Sequence, residues 1–436
     1  MPTNNPVQYD VIIVGAGLAG LAAAKALGEN GINYMIIEAS SRAGGKVISR
    51  ERPDHSRFFE LGPQFVNEDM TEIVELIQES GMDLRETDIT SDSVEIDGSN
   101  KKTVELAFID QILNEENIPF HEKDERLSDL YEKTIKDEQL KKIVSSYHSE
   151  LFNLHPKNLS SKAVLISSRG YKSNKSELTH QASGPLNRII SYLEKISSSR
   201  IVVNEPIRQV IETENGYTLR SDTNKYTSRA VIMAIPPTVA SRLTFSEGLK
   251  GHFHQAFNSY TDGATIKITW VYPKAFWHEY LLEGVTKRVK GVIFTDPMGI
   301  TVVDSSKIHE ESRLTMFIGA DTAKQLAKEN KERRIAFAIK LLENVFGEEA
   351  HHYSDMEESV WVDDPYCGGG YSAKIHYTGL YDAADLLRKP YQKVIFASSE
   401  ISQAFPHFME GAVRSGQYAA RCILEKLNKP TSPEPQ

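Results

Sequence analysis

The sequence predicts an α/β fold of two domains interleaved along the chain, one around a parallel sheet, the other an α+β domain carrying an antiparallel sheet. Three observations predict it. Short, mostly aliphatic apolar runs lie near the start (Val11–Val14, Tyr34–Ile37), in the middle (Ala230–Ile235) and near the end (Val394–Ala397), as buried parallel strands do. Residues 264–272, 290–295, 300–304 and 313–319 read as strands of an antiparallel sheet. The length, 436 residues, exceeds that of one ordinary domain and leaves room for two cores.

Each element follows from local chemistry. Residues 1–10 are polar with two prolines and are expected to be loose. Val11–Val14 is the first strand. Residues 18–29, LAGLAAAKALGE, are rich in alanine and leucine and read as a helix closed at Gly31. Tyr34–Ile37 is the second strand and ends at Glu38. Segments 69–80, 121–150 and 185–198 carry helical patterns with charged faces, and 88–106 reads as strands around a turn at Asp97-Gly98. Arg200–Val203, Ile207–Glu212 and Tyr217–Ser221 read as short strands, with a turn at Asn215-Gly216 between the last two. Pro236-Pro237 ends the strand at 230–235. Residues 320–346 read as a helix pair or one long helix, 409–427 as the last helix, and the tail KPTSPEPQ as disordered. The parallel-sheet domain is expected to take 1–66, 187–245 and 388–427, the α+β domain 67–186 and 246–387, and the tail 428–436.

Composition excludes several classes. With 60 acidic against 50 basic residues the formal charge is −10, which argues against a general nucleic-acid binder. No run of apolar residues is long enough to span a membrane. Two cysteines, Cys367 and Cys422, make neither a disulfide framework nor a four-cysteine zinc site. His252-x-His254 and His351-His352 lack a third ligand at diagnostic spacing, so no metal site is expected. The opening MPTNNPVQYD carries no signal-peptide pattern, and a cytoplasmic location is expected. The acidic residues of 120–138 read as a solvated helical face.

Gly15-x-Gly17-x-x-Gly20 sits between the first strand and its helix. Gly15 permits the tight turn, Gly17 lets a pyrophosphate approach the backbone, and Gly20 lets helix and strand pack closely. The helix N-terminus offers N–H groups and the positive end of its dipole to phosphates. Glu38, at the end of the second strand, is placed to accept hydrogen bonds from ribose hydroxyls. This is the fingerprint of a Rossmann-type dinucleotide-binding domain.

The next segment, Glu38-Ala39-Ser40-Ser41-Arg42-Ala43-Gly44-Gly45-Lys46, resembles the flavin-containing amine oxidase family, whose pattern here is an acid followed by R-x-G-G-R. The departure is Lys46, which keeps the charge of arginine but not its bidentate fork. The resemblance continues. Glu60-Leu61-Gly62-Pro63-Gln64-Phe65 is similar to the segment that passes over the flavin, and Pro206-Ile207 to the strand touching the adenine side. Thr265-Ile266-Lys267, with Ala275-Phe276-Trp277, resembles the stretch of monoamine oxidases that carries a lysine near flavin N5. Trp361 to Tyr371 aligns without a gap to the tryptophan-to-tyrosine segment of those enzymes. Phe396-Ala397-Ser398-Ser399-Glu400 and Met409-Glu410-Gly411-Ala412-Val413 match the closing flavin motif, whose helix aims its N-terminus at the isoalloxazine.

The resemblance implies a Rossmann-type FAD-binding domain, an α+β substrate domain, and oxidation of a primary or secondary amine to an imine with oxygen reduced to hydrogen peroxide. It implies that Lys267 holds a water against flavin N5, and that Tyr371 and Phe408 flank the amine. Phe408 stands where tyrosine is common. Cofactor contacts are expected from Gly15, Gly17, Leu18, Ala19, Gly20, Glu38, Ala39, Arg42, Gly44, Gly45, Lys46, Leu61, Gly62, Pro63, Gln64, Phe65, Ile207, Trp361, Tyr366, Ser399, Glu400, Met409 and Ala412. Gly370 occupies the position of the flavin-tethering cysteine of mammalian-type monoamine oxidases, so the FAD is expected to be noncovalent. L-amino-acid oxidases usually carry a carboxylate-binding arginine at the position of Phe65, and polyamine oxidases often a histidine at that of Asn67; neither stands here. No membrane-anchoring C-terminal helix is expected, and a homodimer is left open. Rival readings are a dehydrogenase with another acceptor, a desaturase or protoporphyrinogen-oxidase-like flavoenzyme, and a flavin-binding protein with a decayed pocket.

Overall fold

The protein is described by a computed structural model covering residues 8–104, 124–197 and 200–428. Strand Gln8–Val14 lies inside the first sheet, parallel to Tyr34–Ile37 on one side and to Lys225–Met233 on the other. Ile201–Val202 extends the sheet beyond Tyr34–Ile37, and Val394–Phe396 runs parallel to the second half of Lys225–Met233. The first half of that long strand pairs antiparallel with Gly216–Arg220, which forms a hairpin with Gln209–Thr213. The apolar runs are buried on both faces, as covered parallel strands require. Val11, Ile13, Ala230, Ile232 and Ile395 face one core, where helices Leu18–Glu29, Thr71–Glu79, Asn187–Ser197 and Met409–Asn428 pack. Ile12, Val14, Val231, Met233, Val394 and Phe396 face the other, against helix Glu247–Phe257.

The second sheet runs in the order Asp355–Val360, Thr265–Tyr272, Ser312–Gly319, Met298–Asp304, Val289–Thr295, Val94–Asp97, Lys102–Val104. Its pairings are antiparallel except that of Val289–Thr295 with Val94–Asp97. Period-2 alternation gives it two different faces. Ile266, Ile268 and Trp270 enter a core with Met316, Ile318 and helix Lys331–Phe346. Thr265, Lys267 and Thr269 point the other way, yet all eight residues of that strand are buried. The face carrying Lys267 meets the rest of the protein, and Thr265 and Lys267 line the cavity described below.

Several details differ from the sequence reading. The first strand begins at Gln8, because pairing with Thr227 and Ser228 recruits the polar Gln8–Asp10 that hydrophobicity passes over. Segment 121–150 divides, within its described part, into helices Leu127–Thr134 and Glu138–Leu151, the second capped by Asp137, which accepts from Leu140 N at 2.7 Å. Glu132 and Glu138 are on solvated faces. Residues 320–346 form two helices, Ala320–Leu326 and Lys331–Phe346, the second capped by Asn330. The serine-rich helix Ser161–Gly170 has no strong propensity; it is capped locally by Ser160, which accepts from Ala163 N at 3.0 Å, and held by burial of Val164 and Leu165 in a core with Leu127 and Leu130. Helix Glu247–Phe257, assigned by the sequence to the α+β domain, packs Leu249, Phe253 and Phe257 under the parallel sheet, and Met70, Ile73 and Ile77 do the same on its other face. The expected disordered tail lies outside the described residues apart from Asn428. Among the described residues no helix is long and apolar enough to cross a membrane.

Helices Leu18–Glu29 and Met409–Asn428 cross closely because glycine stands at the crossing: a Cβ on Gly416 would sit 2.0 Å from Ala19 O. In an open helix Gly→Ala stabilises by about 1 kcal/mol. Here the expected sign is reversed. Gly416→Ala should destabilise by about 1–3 kcal/mol through overpacking, read as a lower urea midpoint; a raised midpoint would show that the crossing can spread without cost.

Candidate active site

The loops leaving the carboxyl ends of the parallel strands, together with the polar face of the second sheet, enclose a cavity of about 1810 Å³. Ligands of open α/β sheets bind at this end of the strands. A single small-molecule pocket measures about 300–1,000 Å³, so this cavity has room for an extended cofactor and a second molecule.

At one end lies the glycine turn. Gly15 has φ +102°, and a Cβ there would meet Ala234 O at 2.5 Å. Above Gly17 the space is open: a Cβ on it would have Gly45 Cα, at 4.0 Å, as its nearest neighbour. Helix Leu18–Glu29 has no side-chain cap at Gly17, so its first N–H groups are available to a phosphate. The buried Glu38 carboxylate accepts from Ala16 N at 2.7 Å and from Ser40 N and Oγ at 2.8 Å each. Arg42 lines the cavity. Its guanidinium donates to the carbonyls of Ala43, Gly45 and Val47 at 2.9, 2.6 and 3.1 Å, so its donors shape the loop. Gly20 does not line the cavity. A Cβ on it would come within 2.0 Å of Gly15 O, so it lets helix and turn pack beneath the site. Every other residue predicted for the site lines the cavity.

Further along, Lys46 Nζ donates to Tyr371 O at 2.9 Å and pairs with Glu400 at 3.4 Å. Burial acts to raise the Glu400 carboxyl, but Lys46 and backbone donors outweigh it and hold it low. Lys267 Nζ donates to Gly62 O at 2.9 Å and lies 5.7 Å from the Phe317 ring centre. Burial drives the Lys267 ammonium well below its ordinary value, against the pull of Glu60; burial likewise raises the Glu60 carboxyl. Trp361 Nε1 and Ser359 Oγ both donate to Leu61 O, at 2.9 and 2.7 Å. The segment 60–62 is thus held from two sides.

That segment is delivered by a hairpin, Ser49–Glu51 with Phe58–Glu60. Arginines lock the hairpin to strand Asp355–Val360. Arg52 grips Asp355 at 2.7 and 2.9 Å and Glu357 at 2.8 Å, Arg57 reaches Asp355 at 3.1 Å, and Arg50 reaches Glu357 at 2.7 Å. Burial works to raise the Asp355 carboxyl, yet the arginine hydrogen bonds win and bring it down to about 2.

The apolar chamber is bounded by aromatic rings. Tyr371 meets Phe317 edge to face at 6.0 Å, and Phe408 lies tilted 5.3 Å from Tyr171. Asn67 Nδ2 donates to the Tyr171 hydroxyl at 2.8 Å. Four lining or supporting groups escaped the sequence reading. Glu150 is buried, accepts from Tyr371 Oη at 2.7 Å and Thr301 Oγ1 at 2.9 Å, and is pushed up to about 7 by burial. Lys374 is buried 5.4 Å from the Phe152 ring centre and is brought down to about 7 by burial. His407 has φ +75° and a buried Nδ1 without a hydrogen-bond partner. Tyr171 ends a segment with no motif. Only the nearness of His407 to the closing motif could have signalled any of them. Elsewhere His252 stacks on Tyr391 at 4.3 Å, and among the described residues no three His, Cys, Asp or Glu side chains are placed to hold a metal ion.

The open cradle over Gly17 and Gly45, the uncapped helix and the unpartnered His407 Nδ1 are what a dinucleotide cofactor would fill. Such a cradle leading into an aromatic chamber with a buried lysine defines a class, the flavoprotein oxidoreductases. The sequence comparison narrows it: the profile of the flavin containing amine oxidoreductases matches residues 18–424, and the chain belongs to that family, an oxidoreductase acting on amines with a flavin cofactor. It is 27% identical to the probable flavin-containing monoamine oxidase A of Dictyostelium discoideum, over 96% of this chain and 98% of that one. With the flavin-containing amine oxidase B of Homo sapiens it shares 24% identity over 97% of this chain and 87% of that one. In fold it is similar to the cyclohexylamine oxidase of Brevibacterium oxydans (TM-score 0.85, 23% identity, 97% and 100% coverage). It is also similar in fold to a putrescine oxidase solved with putrescine bound (TM-score 0.81, 22% identity, 96% and 99% coverage).

The arginine lock carries a pH signature. Asp355→Asn should cost about 1.5–3 kcal/mol at neutral pH, the worth of hydrogen bonds to charged groups. Because the folded carboxyl titrates below its unfolded value, that stabilisation is present above the ordinary carboxylate range and is lost as pH falls toward 2. The difference between variant and wild type in urea unfolding should therefore shrink through that window; a constant difference would show that the lock is not electrostatic.

Proposed function

We propose that the protein is an FAD-dependent amine oxidase. It takes a primary or secondary amine to an imine, which water hydrolyses, and oxygen becomes hydrogen peroxide. The observation that carries this reading is Lys267: a lysine buried in the cavity wall, hydrogen-bonded to Gly62 O and facing the Phe317 ring next to Tyr371. A solvated strand lysine would have none of these features.

The chain's own residues then take these roles. The turn at Gly15 and Gly17 and the helix start at Leu18 and Ala19 hold the pyrophosphate. Glu38 holds the ribose, and Ile207 borders the adenine side. Gly44, Gly45 and Lys46, with Leu61 to Phe65, Trp361 and Tyr366, border the flavin ring, and Ser399, Glu400, Met409 and Ala412 close its far end. When bound, the flavin supplies the electron sink for the hydride equivalent lost from the carbon beside nitrogen. Tyr371 and Phe408 wall the amine and keep water out, and Lys267 holds a water that supports the reaction with oxygen. The parallel-sheet part carries the FAD, and the antiparallel sheet carries the substrate.

The attachment we infer is noncovalent. A Cβ on Gly370 would lie 2.5 Å from Thr265 Oγ1 and 2.9 Å from Asn153 Oδ1, which leaves no room for a tethering cysteine. Burial pushes the Cys367 thiol up to about 12, so it stays protonated and a poor nucleophile at neutral pH.

The test is anaerobic addition of amines to the purified flavoprotein, followed by flavin absorbance. Cyclohexylamine, putrescine and an arylalkylamine make a first panel. Bleaching by one class, with colour and peroxide returning on aeration, is expected; bleaching without return would indicate a dehydrogenase, and a yellow protein that no amine bleaches would sink the amine reading. Lys267→Met should slow recovery of colour in air more than bleaching by amine. Acid precipitation should leave the yellow colour in the supernatant, and colour retained in the pellet would refute noncovalent binding.

A further inference from the structure

Alkyl ammonium ions titrate near the lysine value of about 10.4, so an amine reaches the cavity charged. Losing a hydride equivalent from the neighbouring carbon requires the nitrogen lone pair, so one proton must leave first. The reading above assigns it no acceptor, and the inference here rests on that reading.

The carboxylates in and behind the cavity wall are not equivalent. Glu95 pairs with Lys290 at 3.1 Å, Asp364 accepts from Tyr366 N and Cys367 N, and Glu177 is half-buried. Glu38 is at the glycine turn, bonded to Ala16 N and Ser40. Glu400 is paired with Lys46. Glu60 is behind Lys267 and outside the cavity lining. Glu150 is different: it lines the cavity, is 6% exposed, and forms no ion pair among the described residues. Its hydrogen-bond partners are Thr301 Oγ1 at 2.9 Å and Tyr371 Oη at 2.7 Å. A buried carboxylate without a cation is costly, and a fold keeps one most readily where a charged ligand or a proton meets it.

We propose that Glu150, through the Tyr371 hydroxyl, accepts the proton that the bound ammonium sheds before oxidation. The ammonium N–H bond breaks with its electron pair left on nitrogen. That proton passes to Tyr371 Oη while Tyr371's own proton passes to Glu150 Oε1. Ammonium and carboxylate become neutral amine and carboxylic acid, with no change of oxidation state. The amine is then ready to react, with its positive charge discharged inside the chamber.

The surroundings fit a base working near neutral pH. Burial, against the hydrogen bonds from Tyr371 and Thr301 and with a small push from Glu177 in the segment before strand His180–Ala182, brings Glu150 up to about 7. Tyr371 is itself raised by burial and by Glu150, so it stays protonated and can relay. His148, on the same helix, is held neutral by burial, its value down to about 3, and shares a hydrogen bond with Tyr131. Lys374 lies over Phe152 on the next turn and makes no ion pair with Glu150 among the described residues. An acceptor with a value near the working pH is the efficient choice for general-base work.

The experiment is anaerobic stopped-flow reduction of the flavoprotein at saturating monoamine across pH. Wild type should show a limiting rate that falls as pH drops through about 7, where Glu150 takes up its proton from solvent. Glu150→Gln should lose this limb and be slower at pH 8 by about 10²-fold, the lower end for a general base. Tyr371→Phe, which keeps the carboxylate but cuts the relay, should also lose it. Both variants should recover with a weakly basic fluorinated amine, already neutral at the assay pH, which needs no acceptor. Independently of turnover, binding of an amine that lacks an α-hydrogen should raise a protonated-carboxyl band in the infrared difference spectrum of wild type, absent in Glu150→Gln. A wild-type limb that persists in Glu150→Gln overturns the proposal. So does a Glu150→Gln variant that loses only affinity for diamines, since Glu150 would then anchor a second cation. A limb retained in Tyr371→Phe overturns the relay. If no amine bleaches the wild-type flavin, this proposal and the functional reading fall together; amine bleaching with an unchanged limb in Glu150→Gln removes this one alone.

Discussion

The hydrogen bond from Lys267 Nζ to Gly62 O joins the antiparallel sheet to the chain that leaves the hairpin Ser49–Glu51 with Phe58–Glu60, at the wall of the cavity. Lys267 belongs to the antiparallel sheet, and Gly62 follows the hairpin that leaves the glycine-rich cofactor loop. For this bond to form, the chain at Gly62 must pass against the carbonyl of Lys46, where a Cβ would come within 1.9 Å, so only glycine can stand there. The arginines at 50, 52 and 57 hold the hairpin from outside, and Trp361 and Ser359 hold its end from inside. The placing of every ring and charge around the chamber depends on this crossing.

A dry chamber sorts charges by whether they find partners. Burial raises Glu60 and Glu150 and lowers Lys267 and Lys374, which draws acids and bases toward a common range. Glu400 escapes because Lys46 sits beside it. Fixed full charges persist mainly where they serve structure, in the arginine lock and at the Lys46–Glu400 pair.

The sequence showed the glycine turn, both strands around it, the acid at 38 and the strand carrying Lys267, because each of these obeys a local rule: a glycine where the backbone needs one, or apolar residues at a strand's period. Local rules could not show that strand Thr265–Tyr272 is buried on both faces, since the second face is covered by parts distant in sequence. The same holds for Arg42, whose donors turn inward to its own loop, and for Glu150. That residue lies in the last turn of a helix whose one other acid, Glu138, is exposed, and nothing in its neighbours separates the two until Tyr371, 221 residues away, reaches its carboxylate. The same limit applies to helix Glu247–Phe257, whose apolar residues would suit either core, and only packing shows which one it joins.

The closing helix has a consequence for how the protein is made. Helix Leu18–Glu29 packs beneath Met409–Asn428, and strand Val394–Phe396 completes the parallel sheet, so the first helix and the long middle strand gain their last partners only near the end of synthesis. At about 5–20 residues per second, the interval between Glu29 and Met409 is roughly 20–80 s. For that time the apolar face of the first helix and the edge of the long middle strand have no native cover, although the glycine turn is already present in the chain. Truncation before residue 394 removes the last parallel strand and the closing helix together, and so uncovers apolar faces of Lys225–Met233 and Leu18–Glu29 that no remaining element covers in the fold.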